Sequence, residues 1–242
     1  MTPQFPPLIT GHALKSGQSP VRKAAAGAAK NKYGAGDLLW VNDPDTLDYA
    51  IVLEPEVARE ASLQMVFTQM VALGDAIGAI APPEVPITYR WPDTVLANGA
   101  TIGHVSAVLA DEDTPEGFPA YLVIATHLAI RPKIVRHDPG LTRDSTTLWD
   151  EGCGELDALM VLDSTARHFL NWVHTWEEDG FKPVLALLDG RMTPGHTIML
   201  GDEEAVYLGL DEAGNALVKA AGSTRLITAQ AVLKTSIRNH LS

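Results

Sequence analysis

Cysteine is nearly missing from this sequence. Cys153 stands alone, so no intramolecular disulfide can form, and a reducing compartment, the cytoplasm, is the expected location. Basic residues are also scarce: 18 Lys and Arg face 30 Asp and Glu, a formal charge of −12. That balance repels nucleic acid and anionic membranes unless basic groups cluster locally, so neither is expected as a main partner. No stretch reads as the roughly 18 consecutive apolar residues that suggest a membrane span. The opening MTPQFPPLITGHALKSG has prolines where a signal peptide has its apolar run. No internal repeat is visible, and no cysteine or carboxylate spacing around the histidines points to a zinc site.

What is present is ordinary for a globular protein, with 46% hydrophobic and 20% charged residues in a chain of 242. A chain of this size buries roughly 70% or more of its unfolded surface, enough for a core without a staple. Residues 1–23, broken by Pro3, Pro6, Pro7, Gly11, Gly17 and Pro20, read as an extended segment along the surface with a short apolar anchor near Phe5 to Ile9. Lys23 to Lys32 is alanine-rich and reads as a helix closed by Gly34 and Gly36. Leu38–Val41 and Tyr49–Leu53 flank a turn-like Asn42-Asp43-Pro44-Asp45 and read as an antiparallel pair. The spacing of Leu63, Phe67, Met70, Gly74 and Ile77 predicts a helix, with Pro55 suited to its first turn.

Ile87–Trp91, a turn at Ala97-Asn98-Gly99, and Thr101–Leu109 read as strand, turn and strand. Tyr121–Ile130 is apolar on both faces and belongs in the middle of a sheet. Arg131–Thr147 shows no period and reads as a loop. Leu156, Leu159, Met160, Ala166, Phe169, Leu170, Val173 and Trp176 trace a long helix stopped by Gly180. From about Pro194 the chain turns to short strands at Thr197–Leu200, Ala205–Leu210 and Ala216–Ala220, which read as a small β-barrel or SH3-like unit.

Three stretches, in this order, resemble the catalytic domain of biotin and lipoate protein ligases. Gly34-Ala35-Gly36-Asp37-Leu38-Leu39-Trp40 is similar to that family's glycine-rich loop ending in Trp. Arg90-Trp91-Pro92-Asp93, with Asn98-Gly99 and Ile102-Gly103, resembles its Lys-Trp-Pro-Asn-Asp segment, hairpin and Gly-Gly. Thr146-Thr147-Leu148, Glu151-Gly152, the long helix and Gly180-Phe181 are similar to the stretch that closes the domain. The likeness covers roughly residues 5–192. It implies an α+β fold, a mixed β-sheet backed by helices, with residues 1–192 as a ligase-like catalytic domain and 193–242 as a small SH3-like β domain.

In such ligases biotin or a lipoyl-type acid is joined to AMP with ATP and Mg²⁺, and the acyl group then passes to a lysine of an acceptor protein domain. Two anionic centres must meet, so such a site needs cations and aligned N–H donors. The resemblance makes Arg90 the electrophilic stabiliser in the place of a catalytic lysine. It gives Gly34, Gly36, Trp40, Trp91, Asp93, Gly103, His104 and His127 to the substrate site, and Arg131 and Lys133 to phosphate binding, with Arg136 and Arg143 as further cations in that loop. On their own chemistry, Trp40 and Trp91 read equally as core aromatics, and His104 and His127 as hydrogen-bonded strand histidines that approach each other across a sheet. Two other readings stay open: a binder that keeps the pocket without the adenylation chemistry, and a cysteine-dependent octanoyl or lipoyl transferase acting through Cys153.

Overall fold

The computed structural model describes residues 3–132 and 144–233. In chain order they form β1 (Thr10–Leu14), α1 (Pro20–Ala28), β2 (Asp37–Val41), β3 (Thr46–Leu53), α2 (Arg59–Ser62) and α3 (Gln64–Ile80). Then follow β4 (Ile87–Arg90), β5 (Thr94–Ala97), β6 (Ala100–Leu109), β7 (Leu122–Ala129), α4 (Ala158–Asp179) and α5 (Lys182–Arg191). The chain ends in β8 (Thr197–Leu200), β9 (Glu203–Leu210), β10 (Ala216–Ala220) and β11 (Ser223–Ile227). Strands β1 to β7 make one seven-stranded sheet in the order β1-β2-β3-β7-β6-β5-β4. It is mixed, because β1 runs parallel to β2 while every other pairing is antiparallel. As its two-sided apolar pattern requires, β7 is the middle strand.

One face of this sheet carries Leu38, Tyr49, Ile51, Ile124, Leu128 and Val105, and packs on α3 and α4. Helix α3 is buried nearly all round. By length and hydropathy the segment Arg59–Ile80 would pass for a membrane span, but 72% of its apolar window is buried inside the protein. Its apolar character therefore belongs to a core helix. The opposite face is only half covered. Helix α1, capped by Ser19, whose Oγ accepts from the Arg22 N–H, lays Ala24, Ala25 and Ala28 on Leu39, Ala50, Val52 and Val123. Small alanines let the helix sit close to the sheet, and it reaches no further than one end of that face.

The chain differs from its sequence reading in five places, one being that Pro55 lies ahead of the helix it was expected to start, which begins at Arg59 and breaks at Leu63 into α2 and α3. The opening segment supplies β1, a parallel edge strand, with Phe5 anchored edge-on against Trp40 at 5.3 Å. A separate strand β5 follows Trp91-Pro92, and the Asn98-Gly99 turn, with φ of 49° and 83°, joins β5 to β6. Helix α5 and strand β11 are also additional. Gly180 ends α4 with φ 74°, where the periodicity predicts the stop.

The C-terminal strands do not form the expected SH3-like barrel. They make an open four-stranded antiparallel meander, β11-β10-β9-β8, whose first and last strands do not pair. With two strands at the edges, closure is replaced by packing on the main body. Ile198, Ala205, Tyr207, Ala216 and Val218 belong to the same buried cluster as Phe67 and Phe181. The Trp91 indole donates to the Gly214 carbonyl at 3.0 Å, fastening the meander to the edge of the large sheet. Trp91 is thus buried in that seam.

Candidate functional site

The uncovered part of the large sheet's second face is the floor of a hollow of about 510 Å³, within the range of small-molecule sites, roughly 300–1,000 Å³. Its floor is Val41 on β2, Thr46 and Asp48 on β3, Ala125 and His127 on β7, and His104 and Ser106 on β6. Its wall is the β1–α1 connection, Ser16 to Ser19, with Pro20 and Val21 of the first turn of α1, and Asp43 stands at the β2–β3 turn. Antiparallel register puts directly opposed side chains on one face. A row of such partners crosses the sheet: Val41, Asp48, His127, His104, Thr94 and Arg90. His127 Nδ1 lies 3.1 Å from Asp48 Oδ1, and the His104 and His127 rings stack at 5.5 Å with a 30° tilt. The approach of His104 and His127 that the strands suggested is therefore present.

Beneath the floor is a buried polar pair. The Gln69 amide donates to the Tyr49 hydroxyl at 2.6 Å, and burial pushes the Tyr49 phenol above its ordinary value. That group stays neutral and structural.

The other residues singled out in the sequence fall outside the hollow's lining. Gly34 and Gly36 serve the chain's own turn. The Gly34 N–H donates to Asp37 Oδ2 at 2.8 Å, and Asp37 Oδ1 meets His12 Nε2 at 2.6 Å. Gly36 has φ +87°, and a Cβ there would run into the Leu8 carbonyl oxygen. Trp40 is buried on the core face against Phe5, and Trp91 is held in the seam. Gly103 lets β6 close on β7, since a Cβ there would collide with the His127 carbonyl. Asp93 caps the start of β5, its Oδ1 accepting from the Thr94 hydroxyl at 3.2 Å.

Arg90 ends the row on β4, beyond the hollow. Arg131 lies over the Trp149 ring at 4.9 Å. Lys133, Arg136 and Arg143 lie outside the described residues. Among the described residues no lysine or arginine lines the hollow, and no group of three His, Cys, Asp or Glu could hold a metal ion.

A profile of the Biotin/lipoate A/B protein ligase family matches residues 5–188, most of the chain. This chain belongs to that family. Among known relatives, the biotin–[acetyl-CoA-carboxylase] ligase of Paracoccus denitrificans is 26% identical over 199 residues, 80% of this chain and 82% of that protein. A solved structure from Silicibacter sp. TM1040, described as a biotin protein ligase-like protein of unknown function, is 31% identical. It superposes with a TM-score of 0.84 over 96% of this chain and 99% of that one. The biotin protein ligase of Aquifex aeolicus in complex with biotin and ATP is 19% identical, with a TM-score of 0.70 over 90% of this chain and 95% of that one. That last likeness is one of fold.

Within this ligase-family fold, sequence reasoning missed Asp48, Thr46, Ser106 and the Ser16–Gln18–Ser19 wall. One signal was legible: Asp48 is a lone charge inside TLDYAIVL, and a carboxylate amid a buried strand needs a partner. The wall was not, because a loop's position depends on where α1 lands.

Cys153 is buried, and burial, aided by the Glu151 carboxylate, pushes its thiol above the ordinary value. A thiol of that kind is a poor nucleophile at neutral pH. Cys153→Ala should leave acyl transfer within about twofold of the parent, with no thioester trapped on the intact chain in mass spectra. A hundredfold loss together with a trapped adduct in the parent would restore the cysteine route.

Proposed function

We propose that this protein is an adenylate-forming ligase that takes biotin in preference to a lipoyl or octanoyl acid, activates it with ATP and Mg²⁺, and passes the acyl group to a lysine of an acceptor protein domain. The supporting observation is a polar-floored hollow sharing one row of side chains with Arg90. Serine, glutamine, threonine, carboxylate and imidazole groups dominate the floor and wall. Biotin's fused ring offers N–H donors and a carbonyl to such groups. An aliphatic chain or a dithiolane would leave them desolvated and unpaired, at about 1–3 kcal/mol for each.

The acid's other end is anionic and is repelled by Asp43 and Asp48. With strands about 4.8 Å apart, the four steps from Asp48 to Arg90 span roughly 19 Å, so the carboxylate and the nucleotide phosphate belong toward Arg90. Its planar guanidinium can hold two oxygens at once.

A second reading, a binder without adenylation, is favoured by one observation: the described lining carries two aspartates and no lysine or arginine. The protein should be mixed with biotin, lipoic acid or octanoic acid, each with and without ATP and Mg²⁺, while melting temperature and pyrophosphate are followed. Stabilisation by biotin with acid-dependent pyrophosphate release is expected. Stabilisation without pyrophosphate selects the binder, and neither signal with any acid sinks both readings.

A further inference from the structure

We propose that the hollow selects acids whose far end is a cation rich in N–H donors, a guanidinium or amidinium, ahead of the neutral urea of biotin. This rests on the acid-binding half of the reading above, in which the ring of the acid lies on the floor and its carboxylate points toward Arg90. The floor offers acceptors. Asp48 Oδ1 lies 3.1 Å from His127 Nδ1, and its Oδ2 has no hydrogen-bond partner among the described residues. A carboxylate on Nδ1 holds the imidazole proton there, which leaves Nε2 of His127 as a further acceptor. Asp43 repeats the pattern at the β2–β3 turn. Its Oδ1 accepts from the Asp45 N–H at 2.8 Å, and its Oδ2 is free among the described residues.

The other polar groups of the lining, the hydroxyls of Ser16, Ser19, Thr46 and Ser106 and the amide of Gln18, can donate or accept. No lining side chain is an obligate donor such as lysine, arginine or tryptophan. The charge of the hollow is therefore that of Asp43 and Asp48, with the stacked His104 and His127 beside them. A urea brings two N–H donors and a carbonyl that itself needs a donor. A guanidinium brings donors alone, and two of them can meet one carboxylate side by side. Such charge-assisted pairs are roughly twice as strong as bonds from neutral N–H groups. The Asp48 side chain is 42% exposed, so water screens much of that gain. A preference of about tenfold is what remains. The row of side chains then matches a zwitterionic acid, with its cation at Asp48 and its carboxylate toward Arg90.

The probe is 2-iminobiotin, a cyclic guanidine that differs from biotin only in carrying =NH₂⁺ in place of the urea oxygen. Calorimetric titration of the full chain at neutral pH should show it binding about tenfold or more tighter than biotin. That advantage should disappear at a pH high enough to neutralise the guanidine. Asp48→Asn, checked for folding by its melting curve, should bring the ratio of the two affinities to about one, mostly by weakening the guanidine. Pyrophosphate release with ATP and Mg²⁺ is followed for both acids in parallel. Biotin binding as tightly as the guanidine or tighter in the wild type, or a preference that survives in Asp48→Asn, overturns the head-group selection alone. Guanidine preference without pyrophosphate from either acid supports the selection and overturns adenylation. Binding of neither acid overturns both.

Discussion

Gly103→Ala should lower stability by about 3 kcal/mol, because overpacking against atoms that cannot rotate away costs at the upper end of the usual range. The added Cβ would meet the carbonyl of His127, a backbone atom in the middle of the sheet. For a chain of this size that loss lowers Tm by roughly 6–12 °C. The strands must spread where His104 faces His127, so biotin-dependent stabilisation should fall as well. Gly78→Ala supplies the opposite sign. Gly78 is exposed on α3 with open space where a Cβ would stand, and alanine there should gain about 0.5–1 kcal/mol from reduced chain entropy. Thermal melts of both variants decide it. A Gly103→Ala protein that melts with the parent would mean that β6 and β7 are not closely apposed at this point.

Much of the large sheet was legible because its signals are local. The Asn98-Gly99 turn, the two-faced apolar run of β7 and the three- and four-residue spacing in α3 and α4 each depend on neighbours in sequence. What was not legible depends on distant partners. β1 is a strand only because β2 lies beside it, and TGHAL alternates too weakly to announce it. The short β5 is hidden behind Trp91-Pro92, and the open meander resembled a barrel because strand spacing says nothing of closure.

The site divides in the same way. His104 and His127 were picked out as polar residues in apolar strands, whereas their row with Asp48 needed two registers to be known. The Gly34–Trp40 stretch shows the converse. Its resemblance to a ligand loop is clear in letters, yet in this chain its glycines accommodate Leu8 and Asp37 and its tryptophan packs on Phe5.

Arg90→Ala should cut acid-dependent pyrophosphate release by about 10² to 10³-fold, the usual effect of removing one preorganised donor from a developing anion. Arg90 is the cationic member of a row that otherwise offers a carboxylate, two imidazoles and a threonine hydroxyl. Negative charge that builds between carboxylate and phosphate has to be met at that end. Arg90→Lys keeps the charge and loses the two-pronged grip, so it should recover part of the rate.

Folding should be little affected, since the residue is half-buried on an edge strand, and a change of about 0.5 kcal/mol or less is expected. An internal reporter is His196. Its imidazole is held below the usual value first by burial and also by the nearby Arg90 charge, so its NMR titration should move up in Arg90→Ala and stay put in Arg90→Lys. If His196 moves as expected while pyrophosphate release is unchanged, the cation was removed and was not needed. The anionic step must then be placed away from the β4 end of the row.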